Sequence, residues 1–272
     1  EDDAFPRDRT SGRFLDPAKL HALNHRGEYF SVVGPLNIQR SPQGQPVIFQ
    51  AGDSEQGRDL GAATADVVFT HAASVEQGQA FYRDIKARAA RRGRDPEQLL
   101  VMPGAEIFVG DSDEDGREIE RHYHQTDHSF DLALKEFGRN FGWHDFSQYD
   151  LDEPFPQASL EFARSSFFTN AKRIADQARD KGFSLRQAVE FGRQLRPGAF
   201  VGSAQTVAQR MAEWFEARAL DGFNIYIGHP GQFRRFTEEV VPLLQERGVY
   251  RTAYEGSTLR ENLGLPIPRF GG

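Results

Sequence analysis

The residues best placed to do chemistry form a short run, Gly52-Asp53-Ser54. It follows an apolar stretch, Pro46-Val47-Ile48-Phe49-Gln50-Ala51, and precedes a helical pattern. That places it at the turn from a buried strand into a helix. The first turn of a helix carries N–H groups with no acceptor inside the helix, at the positive end of the macrodipole, which suits a phosphate. Ser54 adds a hydroxyl donor. The plainer reading is an N-cap, with Asp53 or Ser54 accepting from Gly57 and its neighbours. Asp53 suits that capping role better, because a carboxylate repels a phosphate.

Three histidines are candidates for a substrate pocket. His71 directly follows the apolar run 66–70, and His229 directly follows the run 222–228. His144 lies in Gly142-Trp143-His144-Asp145-Phe146-Ser147. For each, the competing reading is a surface or hydrogen-bonded histidine. His122, His124 and His128 look metal-like, and 124 and 128 are four apart on a helical pattern. With Asp127 and Asp131 beside them and no zinc-protease motif, they read as a solvated helix face, and no metal is expected. No Ser-His-Asp order, no P-loop and no Gly-x-Gly-x-x-Gly after a strand occurs in the chain.

The elements that must position these residues alternate. Runs 46–52, 66–70, 99–109 and 222–228 read as strands buried on both faces. Helical patterns cover 54–65, 74–93, 111–137, 159–181, 184–194, 206–219 and 233–247. Residues 1–45 are irregular, with a short strand at 28–32. Such a rhythm predicts an α/β fold with a parallel sheet, its four strands adjacent and in chain order. A doubly wound sheet and a barrel both fit. A barrel needs eight strands over roughly 250 residues, so four strands make half of one.

Composition narrows the classes. The 272 residues are 38% hydrophobic and 27% charged, an ordinary globular profile. Thirty-three basic residues against 40 acidic ones give a net charge of −7, which argues against nucleic acid as a partner. The basic run 86–94 reads as the solvated side of a helix. The absence of cysteine excludes disulfides, thiol nucleophiles and Cys-based zinc sites, and it points to a reducing, cytoplasmic compartment. No apolar run approaches the ~20 residues of a membrane span.

Three blocks carry a more specific signal. The first is His25-Arg26-Gly27-Glu28-Tyr29-Phe30 with Gly34-Pro35-Leu36-Asn37 and Ser41-Pro42-Gln43-Gly44. The second runs from Pro46 through Gly52-Asp53-Ser54-Glu55-Gln56-Gly57-Arg58 to Ala65-Asp66-Val67-Val68-Phe69-Thr70. The third is Asp221-Gly222-Phe223-Asn224, then Arg247-Gly248-Val249-Tyr250-Arg251 and Tyr254-Glu255-Gly256-Ser257-Thr258-Leu259-Arg260. With these blocks in this order, the chain resembles the flavin-dependent monooxygenases of the luciferase-like superfamily. The matching branch holds nitrilotriacetate, dibenzothiophene-sulfone and long-chain alkane monooxygenases and pristinamycin synthase.

The resemblance implies a TIM-like (β/α)8 barrel of the bacterial luciferase type. Residues 1–272 would be the C-terminal part of one barrel domain and supply strands five to eight. The insertion would lie at about 111–200 and a C-terminal tail at 249–272. In the family, four strands precede a segment like Glu1-Asp2-Asp3-Ala4, and that opening reads as a sequence entered midway. The implied cofactor is FMN, delivered reduced by a separate flavin reductase, with O2 as co-substrate. The Ser54 position would hold the flavin phosphate. The implied substrate is a small organic molecule: an alkane, a sulfone, an aminopolycarboxylate or a natural product. A homo-oligomer is expected. Two alternatives are an F420-dependent oxidoreductase on the same barrel and a non-catalytic flavin-binding half-barrel.

Overall fold

The computed structural model describes residues 3–36, 38–126, 130–165, 168–194, 199–228 and 230–268. The chain divides into two compact units, Phe49–Thr252 and a smaller one made of Glu1–Ile48 with Ala253–Gly272. The smaller unit is mostly irregular, as its Gly and Pro content predicts. Its hairpin pairs β1 (His25–Arg26) with β2 (Ser31–Val32) antiparallel, so the strand expected at 28–32 is shorter than the pattern suggested. A four-residue helix, Leu259–Asn262, opens with a capping box between Thr258 and Glu261. Its Arg260 is buried and donates to the carbonyls of Gln45, Pro46 and Pro266, which ties the end of this unit to its strand-like segment.

In the larger unit, short runs of Val, Ile and Phe are too short to bury a helix stripe and instead form strands. β3 (Phe49–Ala51), β4 (Val67–Thr70), β5 (Leu100–Gly110), β6 (Ala199–Ser203) and β7 (Asn224–Tyr226) make one all-parallel sheet. The long β5 is its centre. Its first part pairs with β4 (Val67↔Leu100), its middle with β7 (Ala105↔Ile225) and its end with β6 (Phe108↔Val201). The four expected strands are therefore present, parallel and adjacent in chain order. β6 was not anticipated: Ala199-Phe200-Val201-Gly202-Ser203 is short and ends in helix-cap residues.

Helices α1 (Glu55–Thr64) and α2 (Val75–Arg91) cover one side of the sheet, with Ala62, Phe81 and Ile85 packed in a core with Val68 and Val101. Beyond β5, α3 (Asp113–Thr126) approaches β6 so closely that a Cβ on Gly116 would meet the Gly202 backbone at 2.7 Å. α4 (Phe130–Asn140), a 3₁₀ segment Gln157–Ser165, α5 (Phe168–Lys181) and α6 (Leu185–Gln194) form the insertion. The pattern at 111–137 predicted one helix; α3 and α4 stand there instead, with 127–129 outside the described residues. The insertion has its own core, in which Phe137, Phe141, Phe146 and Phe155 interlock.

α7 (Ala204–Glu216) is capped by Ser203 and packs Val207 and Met211 on Ala105, Ile107 and Val109 of β5. The helix expected at 233–247 is broken into α8 (Pro230–Arg235), a π-turn Phe236–Val240 and α9 (Val241–Glu246). Pro242 near the start of α9 has no N–H to continue an α-helical ladder, and the register slips there. Asp221 stitches β7 to β5: its carboxylate accepts from Val101 N–H at 2.8 Å and Tyr82 Oη at 3.0 Å, with Lys86 Nζ 3.2 Å away. Burial, then the Asp221 charge, push the Tyr82 phenol well above its ordinary pKa, so it stays a donor. No helix of the described residues is long and apolar enough to cross a membrane.

Candidate functional site

The C-terminal end of the sheet carries two features. The first is the turn from β3 into α1. Ser54 is the N-cap of α1, and its Oγ accepts from Gly57 N–H at 3.1 Å. The hydroxyl proton remains available to donate. The turn is tight: a Cβ on Gly57 would lie 3.0 Å from the Gly52 carbonyl oxygen and 3.1 Å from Ser54 Oγ. Glu55 and Gln56 begin the helix with N–H groups that no carbonyl inside it can reach. Asp53 does not cap. Its Oδ1 accepts from Thr70 Oγ1 at 2.7 Å, and its Oδ2 lies 3.8 Å from His71 Nδ1. Its carbonyl accepts from Arg58 Nε at 3.0 Å, and Arg58 is held in turn by Asp84. The expectation that Asp53 caps the helix is thus corrected: the hydroxyl takes the cap, and the longer carboxylate reaches across to β4. The turn can therefore meet an anion with a hydroxyl and free amides, its own carboxylate engaged by Thr70.

The second feature is a cleft over the ends of β4, β5 and β7, walled by the insertion. One lobe, about 550 Å³, is lined by His71, Glu106, Tyr123, Glu136, Arg139, Asn140, Asn170 and Tyr226. An adjoining lobe, about 340 Å³, shares Glu106, Glu136 and Asn140 and adds Leu132, Val189 and Arg193. Both volumes suit a small molecule. β5 alternates here: Ala105, Ile107 and Val109 face the helical core, which puts Gly104 and Glu106 on the opposite face. Gly104 is needed because the Tyr226 ring would come within 2.8 Å of a Cβ. The Tyr123 ring lies against Gly228 in the same way and 5.4 Å from the Phe108 ring. One turn before Tyr123, burial raises the Glu120 carboxyl above its ordinary value.

Of the candidates, His71 lines the cleft and sits edge-on to Phe69 at 4.9 Å. Through Asp53 it is also the link between the cleft and the Gly52–Ser54 turn. His144 is not brought there. It stacks on Phe162 at 4.4 Å and meets Tyr149 Oη at 3.0 Å, within the aromatic part of the insertion. His229 and His128 lie outside the described residues, as does the side chain of His124. Sequence reasoning missed Glu106, Glu136, Arg139, Asn140 and Arg193. A signal existed for three of them: Leu132, Glu136, Arg139 and Asn140 recur at helical spacing opposite the buried Ala133, Leu134 and Phe137.

A parallel α/β sheet with its cleft and helix N-terminus at the strands' C-terminal ends is the architecture of barrel and related α/β enzymes. Residues 18–221 match the luciferase-like monooxygenase family, and the chain belongs to that family. It is 42% identical to N-acetyl-S-(2-succino)cysteine monooxygenase of Bacillus subtilis (strain 168), over 98% of this chain and 61% of that protein. It is 39% identical to nitrilotriacetate monooxygenase component A of Aminobacter aminovorans, over 99% of this chain and 59% of the other. Among solved structures, DmoA from Hyphomicrobium sulfonivorans superposes with a TM-score of 0.76 at 30% identity, covering 97% of this chain and 55% of its own. The chain thus spans about three-fifths of the length of the curated relatives it matches.

Proposed function

We propose that this chain carries the flavin-phosphate turn and one wall of the substrate cleft of an FMN-dependent monooxygenase, and that its sheet supplies the second half of a (β/α)8 barrel. The observation that carries the reading is the Ser54 turn at the end of β3, in a chain of the luciferase-like family. The turn fits a phosphate dianion: a free hydroxyl proton, two unpaired helix amides and a close turn in which a Cβ on Gly57 would come 3.0 Å from the Gly52 carbonyl oxygen. Ser54 and the amides of Glu55 and Gln56 would hold the phosphate. When bound in its reduced form, FMN would supply the activation of O2 and the oxidising power. The chain's own residues then bind and orient. Asp53 holds Thr70 and faces His71, so the phosphate turn and the substrate cleft share these residues.

Reduced flavin would come from a separate reductase, in the cytoplasm. The substrate would be a small organic molecule, and the working enzyme a homo-oligomer. Of the two relatives named above, one acts on N-acetyl-S-(2-succino)cysteine and the other on nitrilotriacetate. The test is a pair of fluorescence titrations with FMN and riboflavin. FMN should bind more tightly by about tenfold or more, the value of charge-assisted hydrogen bonds that riboflavin cannot make. Equal affinity for the two flavins would remove the phosphate turn from the account.

A further inference from the structure

One position in the sheet departs from its surroundings. Gln50 is the middle residue of β3, between the exposed Phe49 and Ala51. Its register partner is Val68 of β4, which pairs in turn with Val101 of β5. Both valines are fully buried in the core that α1 and α2 cover. Gln50 brings an amide into the end of this aliphatic row, and the amide is seated between two glycines. A Cβ on Gly52, at the start of the phosphate turn, would lie 3.0 Å from Gln50 Nε2. A Cβ on Gly61 in α1 would lie 3.2 Å from Gln50 Oε1. Nε2 donates to the Ala51 carbonyl at 3.2 Å. Oε1 is buried and accepts no hydrogen bond among the described residues. An unpaired buried acceptor opposes folding, and a methionine or leucine would serve the core better. Packing alone therefore does not explain the amide.

Its one hydrogen bond points to a role. A peptide unit is planar and trans, so its C=O and N–H point in opposite directions. By holding the Ala51 carbonyl, Nε2 fixes the direction of the Gly52 N–H in the same unit, and with it the path of the chain into Asp53 and Ser54. The contact with Gly61 sets that path against α1, whose first turn follows Ser54. We infer that Gln50 is a positioning residue for the phosphate turn. It acts through the Ala51–Gly52 peptide and does not itself touch the phosphate. The inference rests on the reading of this turn as the flavin-phosphate site, and it adds a residue that works from beneath it.

The experiment uses Gln50→Met, which keeps the length of the side chain and removes both polar atoms, and Gln50→Leu, which removes them with a different shape. Melting temperature is recorded without flavin, and FMN and riboflavin are titrated by fluorescence into each variant and the wild type. Both variants should melt no lower than the wild type, because the unpaired acceptor is gone. FMN should bind about tenfold more weakly, the effect of misaligning one charge-assisted hydrogen bond, while riboflavin affinity stays unchanged. A glutamine that only packs would move stability, or both flavins alike, and leave the ratio of the two affinities where it is. An unchanged ratio in either folded variant overturns the inference. Failure of both variants to fold overturns it too, since the amide would then be a strut of the core. The wild type separates the two readings. Equal affinity of the wild type for FMN and riboflavin removes the phosphate turn itself. A wild type that prefers FMN, with variants that prefer it as strongly, removes only the role of Gln50.

Discussion

At the C-terminal end of the sheet, functional groups hang from backbone that the parallel ladder fixes. Thr70 ends a strand paired on both sides, and Asp53 follows β3 directly. Across the cleft, Glu136, Arg139 and Arg193 hang from helices of the insertion, whose core is a knot of phenylalanines rather than a ladder. The first wall is rigid because main-chain hydrogen bonds hold it, and its packing is of buried aliphatic and aromatic side chains. The second is rigid only as far as its aromatic core is intact. The contrast suits the proposed function, in which the sheet sets the cofactor end and a separately packed wall sets the substrate end.

That division can be broken by substitution. The largest effect is expected from Phe141→Ala. Phe141 is fully buried, with Phe137, Phe146 and Phe155 at 5.1, 5.3 and 5.6 Å. Its loss should cost about 3–5 kcal/mol. Chemical denaturation should show an early loss confined to the insertion, with FMN affinity kept. A single unfolding transition that carries FMN affinity down with it would mean that the two walls are one cooperative unit. Next is Asp221→Asn, in the sheet wall. It leaves Lys86 largely buried without its carboxylate and weakens the bonds to Val101 and Tyr82. The expected cost is about 2–3 kcal/mol, less than for a fully buried pair because Asp221 keeps some solvent contact. Here FMN affinity should suffer first.

The same contrast governs what the sequence made legible. Continuous apolar runs such as Asp66-Val67-Val68-Phe69-Thr70 can hardly be anything but buried strands, and the helix start after Gly52 follows from them. The Gly52–Ser54 turn was legible for that reason. β6 was hidden because five residues ending in Gly202-Ser203 look like the approach to a helix. Glu106 was hidden because a strand with Ile107, Phe108 and Val109 looks apolar on both faces, and only the sheet shows which way a single Glu points. Arg139 and Arg193 face one cleft only through the fold of the insertion, which no local pattern encodes. The assignment of capping to Asp53 failed on reach: the shorter serine side chain suits Gly57 N–H, and the carboxylate finds Thr70.

A smaller effect concerns pH. Asp84 joins α2 to α1 through Arg58 at 3.0 Å and pairs with Arg88 on its own helix, also at 3.0 Å. Burial opposes its charge, but the hydrogen bonds from Arg88 and Arg58 outweigh it and hold its carboxyl below the ordinary aspartate value. A lowered folded-state pKa contributes stability above the unfolded value of about 4, and that contribution is lost as pH falls through the folded value. Melting temperature recorded against pH should therefore fall below about pH 4, and Asp84→Asn should flatten that acid limb while lowering stability at neutral pH. An acid limb unchanged in the variant would assign acid sensitivity to other carboxylates.

The most direct test of the account is the ratio of FMN to riboflavin affinity in Ser54→Ala. Ser54 Oγ is the N-cap acceptor for Gly57 and, in the proposed function, a donor to phosphate. Loss of a hydrogen bond to a charged group is worth about 1.5–3 kcal/mol, so FMN affinity should fall by roughly 10- to 100-fold while riboflavin affinity barely changes. A fall in stability of about 1 kcal/mol with the ratio of the two affinities unchanged would make Ser54 a helix cap alone and contradict the central claim.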